Sequence, residues 1–220
     1  MRFVSEYKIQ NKIRACAPPG LEIVAGMMNG DLQRNWGKDY LYIDHSYFKR
    51  GWKHKHFRLI RSYPHLTRVI PQTKDRLQKF DVILKPYRNN GSHIVVYAPG
   101  RTISTVYQNE GIENKMAEEL KKYTDRPISI MIKGHNFTEA LVDAWAVVCP
   151  VSVAGVEAAV AGYPVFSTHM CPTWPINSGS LSKIENPVLH ERYDWANSLA
   201  WASWHIDEIK HINYAEYQCE

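Results

Sequence analysis

Cysteine is scarce in this chain of 220 residues: Cys16, Cys149, Cys171 and Cys219 are scattered, with no C-x-x-C pair. That spacing suggests neither a disulfide framework nor a Cys-rich zinc site, and it fits a reducing cytoplasm best. No G-x-G-x-x-G and no G-x-x-x-x-G-K-[ST] occurs, so neither a dinucleotide oxidoreductase nor a P-loop kinase is supported. The absence of G-x-S-x-G and H-E-x-x-H disfavours a hydrolase. The first residues, Met-Arg-Phe-Val-Ser-Glu, offer no basic segment followed by an apolar stretch, so no cleaved secretory signal is expected. The most apolar run, residues 144–166, contains Pro150, Glu157, Gly162 and Pro164, which would break or burden a membrane-spanning helix. It reads as buried core.

What is present is an ordinary globular composition, 45% hydrophobic, 12% aromatic and 22% charged. It supplies enough apolar side chain for a sizeable core with a small appended lobe, and it argues against disorder and coiled coil. Charge is placed unevenly. Residues 45–88 carry twelve Lys/Arg against only Asp75 and Asp81, a net +10, whereas the remainder carries 15 basic and 20 acidic residues, a net −5. A strongly basic segment on a mildly acidic body is the electrostatic footprint of a phosphate-rich partner.

Residues 21–26 (LEIVAG) and 40–44 (YLYID) are short apolar runs beside turn residues and predict strands of a small amino-terminal sheet. From Ile94 strand and helix alternate: a strand at 94–98, a P-G-R turn, a helix over 110–123, a strand at 128–132, a short helix over 138–145, a strand at 146–149, a helix over 153–161 ended by Gly162, and a strand at 164–167. Continuous apolar strands in that order predict an α/β fold with a parallel sheet covered on both faces, its ligands collecting at the carboxyl ends of the strands. The turn-rich stretch PYRNNG at 86–91 predicts a hinge, with residues 1–90 forming a small basic lobe and 91–220 the parallel-sheet lobe. A helical tail is expected over 195–212.

The most informative segment is Cys149-Pro-Val-Ser-Val-Ala-Gly-Val-Glu-Ala-Ala-Val-Ala-Gly-Tyr-Pro-Val-Phe. Ser152 can cap a helix of small residues, and Gly155 in its first turn admits close approach by another backbone or a ligand. Such a helix start offers N–H groups to an anion. Glu157, about one turn in, can accept hydrogen bonds from a ribose diol. The same pattern equally describes a small-residue helix packed on a sheet with Glu157 in solvent.

The stretch from Ser152 to Phe166, a Ser, then Glu-Ala, a small residue and Gly-x-Pro-Val, resembles the carboxy-terminal donor-site signature of GT-B glycosyltransferases. Tyr97-Ala-Pro-Gly-Arg101 and Ile132-Lys-Gly-His135 stand in matching order upstream, and the tail is similar to glycosyltransferases of bacteriophages. The resemblance covers about residues 92–212. It implies a GT-B-like fold, with a Rossmann-like donor lobe and a reduced amino-terminal lobe, and transfer of a sugar from a nucleotide-diphosphate sugar, a UDP-sugar for choice. Arg101, Lys133, His135, Ser152, Gly155 and Glu157 would face that donor. Cations and oriented N–H groups can hold the leaving diphosphate without a metal, and no D-x-D pair, usual in metal-dependent glycosyltransferases of the other fold class, occurs in the chain. No metal or cofactor is expected, and inversion at the anomeric carbon is the default expectation.

On the acceptor side, Asp44 with His45 follows the strand YLYI, a common place for a base that removes a hydroxyl proton. A turn Asp bonded to the backbone is the plainer reading, and Asp31, Asp39 and Asp75 are rivals. In the run that follows, Lys49, Arg50, Lys53, Lys55, Arg58 and Arg61 interleave with Tyr47, Phe48, Trp52 and Phe57. Cations for phosphates and rings for an extruded base suit nucleic acid, although the rings could instead be core. His54-x-His56, on opposite faces of a strand, makes a poor metal pair. The resemblance to viral enzymes and the basic run together imply DNA carrying a 5-hydroxymethylpyrimidine such as 5-hydroxymethylcytosine as acceptor, inside the host cytoplasm. A polysaccharide or small glycan, and a non-catalytic nucleic-acid-binding protein, are the alternatives.

Overall fold

The computed structural model describes residues 9, 11–26, 30–71, 74–132, 134 and 136–212, the Trp52 side chain excepted. In chain order its strands and α-helices are β1 (Glu22–Ala25), α1 (Asp31–Asn35), β2 (Tyr40–His45), β3 (His56–Arg61), β4 (His93–Tyr97), α2 (Arg101–Val106) and α3 (Ile112–Leu120). They continue with β5 (Ile128–Met131), α4 (Phe137–Ala140), β6 (Ala144–Cys149), α5 (Ala154–Val160), β7 (Val165–Ser167), α6 (Tyr193–Trp201) and β8 (Ser203–His205). The chain divides into two units: Met1–Leu66, Ile70–Asp81 and Ala196–Glu220 in the first, Thr67–Val69 and Val82–Trp195 in the second. Where the linear reading places one boundary near residue 90, the first unit takes the chain back at Ala196.

The first unit holds a mixed sheet in the order β1-β2-β3-β8, with β1 and β2 parallel and the other neighbours antiparallel. Alternation sorts its side chains. Leu41, Ile43, Phe57 and Leu59 project to one face and bury with Ile9, Ile13, Ile23 and Ile209. On the other face the registered pairs Tyr42↔Ile60 and Asp44↔Arg58 lie side by side. Residues 56–61, read from sequence as part of a basic run, are thus a central strand on which Arg58 is buried. The expected helical tail stops at Trp201, because Ser203 Oγ donates to the Leu199 carbonyl at 2.8 Å and β8 then pairs with the open edge of β3.

The second unit is the expected parallel sheet, in the order β5-β4-β6-β7. Its central strands are buried on both faces: Ile94, Val96, Ala146 and Val148 pack against Ala117 and Leu120 of α3, Phe166 and Ile184, while Val95 and Val147 are buried as well. Two boundaries differ from expectation. The helix expected over 138–145 ends at Ala140, because Asp143 adopts a left-handed φ of 58° and strand β6 starts at Ala144. The P-G-R turn is the start of α2 instead. The expected hinge at 86–91 is fastened to this unit: Lys85 N donates to Val160 O at 3.0 Å and Arg88 N to Gly162 O at 2.8 Å. Among the described residues no helix is long and apolar enough to cross a membrane.

Candidate functional site

In the second unit, β4 has β5 on one side and β6 on the other, so the connection after β4 runs to one side and the one after β5 crosses back to the other. Open parallel sheets bind ligands at such a switch point, outside the carboxyl ends of the two strands. The register Val96↔Val148 brings the loop after Tyr97 and the loop after Cys149 to neighbouring strand ends, about 4.8 Å apart in the sheet. Arg101, exposed and first in α2, follows one loop, and the Ser152 turn lies in the other. Lys133 and His135 lie outside the described residues.

The turn at Ser152 is more self-contained than its sequence suggests. Ser152 Oγ accepts from Ala154 N at 3.1 Å, Ser152 O from Gly155 N at 3.2 Å, and Val153 O from Val156 N at 2.9 Å. The first helical N–H groups are therefore engaged within the turn, which corrects the expectation that they stand open to an anion. Gly155 does fill a tight place, yet what approaches it is protein: a Cβ there would come within 3.2 Å of Cys149 Sγ and of the Thr173 side chain. Both Cys149 and Cys171 donate through sulfur to the Ser152 carbonyl, at 3.6 and 3.5 Å. The neighbouring Cys171 sulfur, followed by desolvation, pushes the pKa of the Cys149 thiol up. Helix α5 buries Ala154, Gly155, Val156, Ala158 and Ala159, leaving Glu157 exposed. The segment thus offers a rigid rim carrying one carboxylate.

In the first unit, Asp44 has three donors. Its Oδ2 accepts from Arg58 Nη2 at 2.8 Å and from the Tyr42 hydroxyl at 3.1 Å, and its Oδ1 from His45 N at 2.7 Å. Burial raises the pKa of this carboxyl, but the Arg58 guanidinium and the His45 N–H outweigh it and hold the group below the usual carboxylate range. Asp44 is therefore a fixed anion with 29% of its side chain still open to solvent. It is a weak base in a set position, able to accept a hydrogen bond from a hydroxyl and to take the proton as that oxygen forms its new bond. His45 closes the strand, its carbonyl accepting from Arg58 Nη1 at 2.8 Å and its ring stacked on Phe57. The rivals are engaged elsewhere: Asp31 pairs with Arg34, Asp39 with Arg61, and Asp75 accepts from Leu77 N.

The basic run is only partly a surface. Arg50, Lys53 and Lys55 are exposed. Lys49 is paired with Asp81 at 2.9 Å, and Arg61 with Asp39 in a bidentate bridge at 2.6 and 2.7 Å. Arg58 is 2% exposed and bonds Asp44, His45 O and Pro64 O, so it is no phosphate contact, contrary to the sequence reading. Tyr47, Phe48 and Phe57 are buried, which makes them core and not stacking platforms. The Trp52 side chain lies outside the described residues. Sequence reasoning missed Arg58 as partner of Asp44; the alternation Phe57-Arg58-Leu59 after a β-prone run was the available signal for a hairpin.

Among the described residues no three His, Cys, Asp or Glu side chains converge as a metal site. Comparison of the chain with protein-family models and with curated proteins finds no match.

Proposed function

We propose that this protein is a metal-independent glycosyltransferase of GT-B-like fold, which moves a sugar from a nucleotide-diphosphate sugar, a UDP-sugar for choice, to the hydroxyl of a 5-hydroxymethylpyrimidine in DNA. One observation carries the reading: the two segments with the donor-site pattern, 97–101 and 150–157, leave the carboxyl ends of adjacent strands at the switch point of a parallel sheet. Arg101 is the proposed cation for the diphosphate and Glu157 the proposed ribose acceptor. Because the amides at Ser152 are spent within the turn, the charge of Arg101 takes a larger share of leaving-group stabilisation in this proposal. Asp44 is the proposed base. The acceptor oxygen attacks the anomeric carbon, the bond from that carbon to the diphosphate breaks, and the hydroxyl proton passes to the carboxylate, giving inversion. Exposed Arg50, Lys53 and Lys55 support a polyanionic acceptor.

The test is incubation with hydroxymethylcytosine and hydroxymethyluracil DNA, and separately with a bacterial polysaccharide, in the presence of a panel of nucleotide sugars. Digestion to nucleosides followed by mass spectrometry is expected to show a hexose or pentose increment that Arg101→Ala reduces strongly without altering the melting temperature. If no acceptor gains mass and no nucleotide sugar raises the melting temperature, the reading is wrong.

A further inference from the structure

A depression lies in the first unit, at the opposite end of β2 from Asp44. It is a groove of about 490 Å³ lined by Trp36, Lys38, Asp39, Arg61, Ser62 and Tyr63. Its size suits a nucleobase with its sugar. The large rings that line it are not core: Trp36 is 42% and Tyr63 55% exposed, in contrast to the buried rings of the basic run. Across its floor Arg61 donates two hydrogen bonds to Asp39, and Ser62 N donates to Tyr40 O at 2.8 Å. Both rims are sharply turned. Gly37 has a φ of 79° and Ser62, which has a side chain, a φ of 65°, a conformation a non-glycine residue adopts at some cost. Two cations against one carboxylate leave the lining net positive.

We infer that this groove is a stacking subsite for single-stranded nucleic acid, with bases resting on Trp36 and Tyr63 and Lys38 meeting a backbone phosphate. Every base has a π-face, so such a site grips without reading sequence, and a net positive groove lined by open rings suits a strand better than a neutral sugar does. The subsite would thus hold a base of a single strand. It shares with the proposed function only the nucleic-acid partner and does not require sugar transfer.

The test is fluorescence anisotropy of a labelled oligothymidylate twelve nucleotides long, with no sugar donor present. Wild type is expected to bind with a salt-dependent affinity. Trp36→Ala and Tyr63→Ala are each expected to weaken it at least about fivefold, whereas Trp36→Phe and Tyr63→Phe retain most of it. Lys38→Gln is expected to flatten the slope of log affinity against log salt by about 0.7. Melting curves of all variants check the fold. No binding by wild type, unchanged binding by the doubly substituted Trp36→Ala/Tyr63→Ala protein, or displacement of the oligonucleotide by a neutral oligosaccharide would overturn the inference. None of these results would bear on whether a sugar is transferred to duplex DNA.

Discussion

Asp44 and Arg58 face each other as registered partners on antiparallel strands β2 and β3, and their side chains meet at 2.8 Å. The ion pair is thus written into the sheet register, since a one-residue slip would send the two side chains to opposite faces. Arg58 is further fixed by carbonyls of His45 and Pro64 and lies against the rings of Tyr42 and Tyr47, at 5.5 and 5.4 Å from their centroids.

Removing one partner leaves the other charge stranded. Arg58→Met is expected to cost about 2–3 kcal/mol in urea denaturation, somewhat less than a fully dry pair because Asp44 keeps an edge in water. The pH dependence has a definite sign. Asp44 has a depressed folded pKa, so its contribution is complete above its unfolded value, about 3.9, and is lost as pH falls through the lower folded value. The acid limb of the melting-temperature profile should therefore be shallower in Arg58→Met than in wild type.

His65 behaves oppositely to a histidine that has gained an anion. It is buried, neither ring nitrogen has a hydrogen-bond partner among the described residues, and desolvation followed by the nearby Arg58 charge pushes its pKa well below the ordinary value. Below about pH 6.5 the unfolded chain binds a proton that the folded one refuses, so stability falls by up to about 1.4 kcal/mol per pH unit. His65→Phe is expected to remove that slope between pH 6.5 and 5. Parallel melting profiles for the two proteins would refute it.

Gly155 tests whether the turn at Ser152 is packed as closely as its geometry indicates. Helix propensity alone favours Gly155→Ala by about 1 kcal/mol, yet contact at 3.2 Å with Cys149 and Thr173 should reverse the sign, for a net loss of about 1 kcal/mol. Adding Cys149→Ala is expected to recover part of that loss. Additivity of the two changes in a double-mutant cycle would show that the contact is not felt.

Gly162 ends α5 with a φ of 91°, and a Cβ there would overlap the Pro86 carbonyl oxygen. Gly111 shares the left-handed backbone, φ 72°, but has open space around it. Gly111→Ala should cost about 1 kcal/mol, from backbone strain alone. Gly162→Ala should cost at least about 2 kcal/mol, because the backbone of the 85–88 stretch must also move. Equal losses would mean that this stretch is loosely held.

Much of the second unit was legible in the residues themselves. Runs such as Ile94-Val-Val and Val147-Val-Cys, alternating with helical segments, point to strands buried on both faces of a covered parallel sheet, and Gly162 and Pro164 mark where the α5 helix gives way to β7. Less could be read in the first unit, where the hydrophobic period of β3 is masked by its charges.

Sequence alone determined which segments are strands of the parallel sheet, that basic charge is concentrated over 45–88, and that Asp44 stands near a strand end, because periodicity and composition are local properties of the chain. Tertiary structure decided that Arg58 is buried against Asp44, that Tyr47, Phe48 and Phe57 are core while Trp36 and Tyr63 are open, and that β8 joins the first sheet from 142 residues beyond β3. The reason is physical: whether a cation or a ring meets solvent depends on which strand lies opposite, and that pairing joins residues far apart along the chain.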